Sequence, residues 1–357
     1  MNKNIMRILC TLFLATLLAA CERRPLQDST NMLRVRVVLK VSDVNNVTTN
    51  IYNTRIPAPS ISPSIIRAIF YDEVTDNVAS QGFLTNKETD ADGNTVFTGY
   101  VNVPAGKYNL VCYNFDTPSL QVENESNWNT INAYTSEVNE YYYTRFYSSR
   151  ADEAFTPIPR IYYEPDHLIV ARENGVVVPK RTDLITIHTE AKSIIDTYYI
   201  QVRVVNGQYA SDATAILTDL APSNKFAIDE RKHDEYSATF FEMRRSIDAR
   251  IRASNQDVLC ATFNTFGKRP DEIDPSVESK LYVTFNVITV DGQRAEMTVD
   301  MDSIFKTEPA IEKHWLLIDK EFVIPEPKPD PDRPDEDKGM FETDVEGWDK
   351  EEGYIDI

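Results

Sequence analysis

Catalytic vocabulary is what this sequence of 357 residues has least of. Its four histidines, His167, His188, His233 and His314, stand singly, and none belongs to an H-E-x-x-H metal motif. No G-x-S-x-G nucleophile turn is present to pair with one of them. Eleven glycines never gather into a phosphate-cradling loop. The four cysteines include no C-x-x-C pair, which argues against thiol chemistry and a cysteine-ligated zinc. Paired carboxylates could serve a glycosidase, but among 56 acidic residues such pairs arise by chance and carry no signal. The string Asp90-Ala91-Asp92-Gly93-Asn94 has a faint look of a calcium loop. It lacks the third acidic ligand and the distal glutamate, and reads as a hairpin turn. The expectation is a protein that is not an enzyme and takes no cofactor or metal.

Positive charge is scarce as well. Against 56 acidic residues stand 37 basic ones, a net of −19. Such a surface repels nucleic-acid phosphates and anionic headgroups, so no nucleic-acid partner is expected. Long apolar runs are confined to the N-terminus, where Lys3 and Arg7 precede a stretch from Ile8 to Leu18 broken only by threonines. It is too short to span a bilayer comfortably and ends in small residues, as a signal peptide over residues 1–20 does. The last residues, Leu18-Ala19-Ala20-Cys21, resemble the lipobox of bacterial lipoproteins. That resemblance implies that Cys21 is diacylated and becomes the first residue of the mature chain. The lipid bilayer is then a partner through Cys21, since each buried methylene of an acyl chain contributes about 0.8 kcal/mol. Residues 21–31 form a short polar tether. Cys112 and Cys260 remain, each inside an apolar strand-like run, and read as two buried free thiols in different domains.

What the sequence has in quantity is a period of two. Leu33, Val35, Val37, Leu39 and Val41 alternate with Arg34, Arg36, Val38 and Lys40, which predicts a half-buried strand. Ile65 to Tyr71 and Val96 to Val103 repeat the pattern. Pro104-Ala105-Gly106 turns the chain into a nearly all-apolar, central strand from Tyr108 to Phe115. A second series begins near Ile185. It includes Tyr198 to Val204, the hairpin Leu281 to Met301 about Asp291-Gly292 (predicted as a type I′ turn) and a last strand from His314 to Val323. The reading is all-β, two sandwiches in tandem, residues 32–183 and 184–324. Between the first two strands, residues 42–64 carry Pro57, Pro59 and Pro63 and predict a long exposed loop. Arg55 is its only arginine and its candidate protease-sensitive point.

Beyond Ile324 the composition changes. Residues 325–339 form a Pro/Asp-rich extended spacer. Residues 340–357 then regain apolar groups. Phe341, Trp348, Tyr354, Ile355 and Ile357 make this a candidate docking tail, able to pair by its backbone with an open sheet edge. Tyr141-Tyr142-Tyr143 and Tyr162-Tyr163 are further aromatic clusters that could stack on sugar rings or anchor an interface.

Three features recur together: the lipobox followed by Glu22-Arg23-Arg24-Pro25-Leu26, the block Pro104-Ala105-Gly106-Lys107-Tyr108-Asn109-Leu110-Val111-Cys112-Tyr113-Asn114, and a terminal Gly347-Trp348 with alternating apolar residues. In these the chain resembles a Bacteroidetes lipoprotein family built on a domain of unknown function. That family is similar in turn to the fimbrillin-like proteins of fimbriae. The resemblance implies two transthyretin-like (immunoglobulin-like) sandwich domains and an outer-membrane lipoprotein of the cell envelope. It implies a structural, anchor or adhesive role in a fimbria, with other pilin-like proteins bound by strand exchange. In related pilins an arginine in the region of Arg55 is cut by a trypsin-like protease. No catalytic residue is implied. Glu22-Arg23-Arg24 is not the Lys- and acid-rich tag of many surface-displayed lipoproteins, so the periplasmic and outer faces both stay open. The alternative is a glycan-binding lipoprotein of a polysaccharide uptake system, with glycans as partners.

Overall fold

The computed structural model describes residues 32–41, 48, 50–51, 54–55, 63–114, 117–139, 160–180, 184–232, 237–247, 257–268 and 281–328. From the N-terminus these form β1 (Met32–Val41), the short pair β2 (Asn50–Ile51) and β3 (Thr54–Arg55), then β4 (Ile66–Asp72), β5 (Val78–Leu84) and β6 (Asn86–Thr89). Next come β7 (Thr95–Pro104), β8 (Gly106–Asn114), β9 (Leu120–Glu123), β10 (Asn132–Thr135), β11 (Arg160–Tyr163), β12 (Ile169–Val178) and β13 (Ile185–Ser193). The second half holds β14 (Asp196–Val205), β15 (Ala210–Thr218), β16 (Ser223–Lys225), β17 (Glu230–Arg231), β18 (Ser237–Glu242) and β19 (Arg244–Ile247). It closes with β20 (Asp257–Thr265), β21 (Tyr282–Thr289), β22 (Arg294–Asp300), helices α1 (Asp302–Phe305) and α2 (Glu308–Lys313), and β23 (Trp315–Val323).

The period-two pattern is realised directly. In β1, Val35, Val37 and Leu39 are fully buried while Arg34 is exposed. The strand belongs to an eight-stranded sheet ordered β5-β4-β8-β12-β13-β1-β7-β6. β12 and β13 pair at only two register positions, and there the sheet folds over. Its two halves enclose a core that includes Phe70, Phe97, Leu110 and Ile169. Strands near opposite ends of the order then meet: a Cβ on Gly99 of β7 would lie 2.5 Å from the Phe83 carbonyl oxygen of β5. Glycine is required there by space, since only a bare backbone admits such an approach. β8 lies between β4 and β12, paired on both sides, as its apolar run predicts.

The second sandwich stacks β11-β18-β15-β21-β22 over β19-β20-β14-β23. Its core includes Ile200, Leu217, Phe263, Phe285 and Leu316, with the Phe241 and Phe263 rings stacked 4.2 Å apart. Cys112 and Cys260 are buried free thiols in separate clusters. The architecture is therefore all-β, two sandwiches in tandem.

Three expectations change. The domain limit at residue 183 falls inside the first sandwich, because β13 lies in its sheet and pairs in parallel with β1 from Val35↔Ile185 to Val41↔Ala191. Strands from the first half also enter sheets of the second: β10 pairs with β16 and β11 with β18. A further cluster joins Ile69, Tyr71 and Val111 of the first sandwich to Phe226 and Phe266. Second, the turn at Asp291-Gly292 is not type I′, which needs two central residues with positive φ. Only Gly292 is left-handed (φ 82°), and Thr289 N–H bonds the Gln293 carbonyl, giving a three-residue loop closed by a glycine bulge. Asp90–Asn94 makes the same turn about Gly93. Third, the stretch 42–64 does contain strand: β2 and β3 form their own small antiparallel pair.

Candidate assembly site

β1, the first strand after the tether, lies in the interior of a sheet. β1 pairs with β13 at seven register positions and, antiparallel, with β7 at nine. Its inward side chains fill the first core. Outside, the Arg34 guanidinium lies 3.8 Å from the Tyr100 ring centroid and Arg36 pairs with Glu88 at 2.8 Å. A strand in this slot is bonded along both edges and buried on one face. Any segment with apolar residues at alternate positions meets the same requirement.

The chain leaving β1 reaches the second sandwich. Thr48 N–H donates to the Lys313 carbonyl at 3.1 Å, and the Trp315 indole N–H donates to the Thr48 carbonyl at 2.8 Å. Lys313 places its ammonium 5.0 Å from the centre of the Trp315 ring. These two bonds hold Thr48 against the start of β23. Arg55 has its backbone in β3, paired with Asn50.

At the other end, the spacer begins at a defined point. Gln293 Nε2 donates to the Glu326 carbonyl at 2.9 Å, and Lys328 N–H donates to Asp291 Oδ2 at 2.8 Å. Hydrogen bonds from Thr289, Lys328 and Gln293 hold the Asp291 carboxyl down to about 2. The chain thus leaves from the β21–β22 turn. Cys21 and the tail residues Phe341, Trp348, Tyr354, Ile355 and Ile357 lie outside the described residues, as do Tyr141, Tyr142 and Tyr143. No sequence signal linked Thr48 to Trp315, since hydrogen bonds to a backbone carbonyl leave no mark on the residue that carries it.

Between the sandwiches, Glu164 accepts the backbone N–H of Asn264 at 2.9 Å. Burial raises its carboxyl to about 7, opposed by that hydrogen bond and aided by Asp166 and Glu242. The folded chain therefore binds this proton more tightly than the unfolded one. Stability from it is full below the ordinary 4.5 and is lost as pH rises through about 7. Glu164→Gln keeps an acceptor and removes the buried charge. It should be more stable than wild type at pH 8, by about 3 kcal/mol, and equal to it near pH 4.5, as thermal melts at the two pH values would measure. A variant less stable at pH 8 would contradict the assignment. Nearby, burial lowers the basicity of His167, whose ring nitrogens have no hydrogen-bond partner among the described residues. His314 stacks on Tyr198 at 4.7 Å and takes the left-handed conformation that ends α2. His188 sits in β13, and His233 lies outside the described residues. Among the described residues no three His, Cys, Asp or Glu side chains gather as a metal site.

Fold and slot together define a tandem β-sandwich protein whose N-terminal strand is built into the middle of a sheet. Residues 20–242 match the family model described as Domain of unknown function (DUF5119), and the chain belongs to that family. A curated relative from Bacteroides ovatus, provisionally named a fimbrium anchoring subunit, is 22% identical over 94% of this chain and 93% of its own. A crystal structure from the same species, of a protein provisionally termed an adhesin, aligns with a TM-score of 0.55 at 19% identity. It covers 87% of this chain and 98% of that one, and its likeness is one of fold. No helix among the described residues is long and apolar enough to cross a membrane.

Proposed function

We propose that this chain is a lipid-tethered, non-catalytic anchoring subunit of a cell-envelope fimbria, held in the outer membrane through Cys21. The observation that carries the reading is the course of the chain at its N-terminus. Only ten residues separate Cys21 from β1, and β1 is bonded on both edges in the interior of a sheet. Tension between a fimbria and the membrane would act along this strand and load its two ladders together. The curated relative named for fimbrium anchoring, matched over nearly its whole length, supports the reading.

Other fimbrial subunits are the proposed partners, engaged by strand exchange at a sheet edge or in a slot like that of β1. The tail carrying Phe341, Trp348, Tyr354, Ile355 and Ile357 is the chain's own segment for such pairing. The proline-rich spacer delivers it from Asp291, at about 3.1 Å per residue.

Cys21→Ser tests the anchor. The variant should leave the membrane fraction or remain unprocessed, and affinity isolation of wild type from native envelopes should recover fimbrial subunits. A variant that fractionates and is acylated like wild type would end the lipoprotein reading. Recovery of a polysaccharide transporter in place of fimbrial subunits would end the fimbrial one.

A further inference from the structure

Where the two sandwiches meet lies an open cleft of about 560 Å³. That is within the roughly 300–1,000 Å³ of small-ligand clefts. It is lined from both halves of the chain: Glu123, Asn132 and Tyr134 from β9 and β10, Tyr162 from β11, Lys225 and Glu230 from β16 and β17. It is separate from the β1 slot and from the spacer's exit at Asp291.

The chemistry of the walls narrows the ligand class. β10 and β16 are the two inner strands of the four-stranded sheet β17-β16-β10-β9, so each is already paired on both sides. These two strands offer no free backbone row, while β9 and β17, which also line the cleft, are the edges of the sheet, so the test below includes a peptide as a competing occupant. Of the lining side chains only Tyr134, Tyr162 and Pro222 are aromatic or apolar, too few for a lipid or an amphipathic helix. Two lysines face two glutamates, and Lys225 is already paired with Glu230 at 2.6 Å, so there is no concentrated positive charge for a polyphosphate.

What the cleft does offer is hydrogen-bonding groups held in oriented pairs, with aromatic rings beside them. Asn132 Nδ2 donates to Glu123 Oε1 at 3.0 Å, leaving that carboxylate and amide with further acceptor and donor capacity. Tyr134 donates to Gln121 Oε1 at 2.9 Å, which fixes its ring in the wall. Amide–carboxylate pairs match vicinal hydroxyls, each of which both donates and accepts. Tyrosine rings are amphipathic and carry the apolar C–H faces of such ligands. We propose that this cleft binds an oligosaccharide. A fimbrial subunit would thereby contact glycan as well as its protein partners, and the inference stands independently of the anchoring reading.

The test uses the full mature chain on a printed array of neutral, amino-sugar and uronic-acid oligosaccharides, followed by titration calorimetry with the tightest binder. Binding of at least one saccharide class is expected. Glu123→Gln, which removes a charge from an exposed strand end without changing shape, should weaken that binding at least tenfold. Tyr162→Ala should do likewise. The melting temperature of Glu123→Gln should match wild type, which separates lost recognition from lost folding. Absence of binding to any saccharide would overturn the proposal. So would binding that both variants leave intact, or occupation of this cleft by a synthetic peptide of residues 340–357 instead. Cys21→Ser should bind the saccharide as wild type does, so failure of the anchoring reading leaves this result readable.

Discussion

A fragment of residues 27–183 is expected not to fold. Sequence pattern alone would make it a complete first sandwich, but the cut removes β13, the strand that lies between β12 and β1. β1 then loses its entire parallel ladder, from Val35↔Ile185 to Val41↔Ala191, and the core loses Ile185 and Ala191. The fragment also strands β10 and β11, whose partners β16 and β18 are gone. Ile69, Tyr71, Val111 and Tyr113, fully buried in the intact chain, lose Phe226 and Phe266 as neighbours. At about 25 cal/mol per Å² of apolar surface, a cluster of that size outweighs the few kcal/mol of net stability of an ordinary domain. Circular dichroism of the fragment should show no cooperative melt, whereas residues 21–357 should unfold in a single calorimetric transition. A fragment that melts cooperatively, or a full chain with two separated transitions, would show that the junction contributes little.

Gly99→Val should destabilise the whole protein by about 3 kcal/mol, lowering its melting temperature by on the order of 10 °C. Gly99 does not have a positive φ, so backbone conformation is not the cause. The cause is space. A Cβ at this position would meet the Phe83 carbonyl oxygen at 2.5 Å and the Leu84 Cα at 2.9 Å, both backbone atoms that cannot swing aside. Gly93 is the informative control, since a Cβ there meets nothing within 4 Å and only its left-handed φ of 83° opposes a side chain. Gly93→Ala should therefore cost about 1 kcal/mol, well below Gly99→Val. Equal melting temperatures for the two variants would mean that β5 and β7 do not approach as closely as described.

Much of the local structure was legible in the chain. Alternation placed β1, β7 and the β21–β22 hairpin, because a strand with one buried face must repeat every second residue, and a nearly unbroken apolar run placed β8. The two internal cysteines were readable as buried thiols from their apolar neighbours, and they are free and buried. The missing catalytic motifs and the acidic balance set the expectation of a structural role before any fold was drawn. The candidate cleft was legible only in part: Tyr162 stood out as an aromatic, while Glu123, Asn132 and Glu230 look like any other polar residues of an acidic chain.

By itself, then, the sequence determined the main alternating strands, which face of each is apolar and where the Asp291-Gly292 turn falls, though not that turn's type or the pair β2 and β3, since alternation depends on side chains a few residues apart. Only the tertiary structure decided which strands lie side by side. The pairing of β1 with β13 and the insertion of β11 beside β18 are made by backbone N–H and C=O groups, identical at nearly every residue, and the Trp315 indole finds a backbone carbonyl at Thr48 that no side chain marks. An alternating pattern says that a strand has an inside. It does not say whose inside it shares.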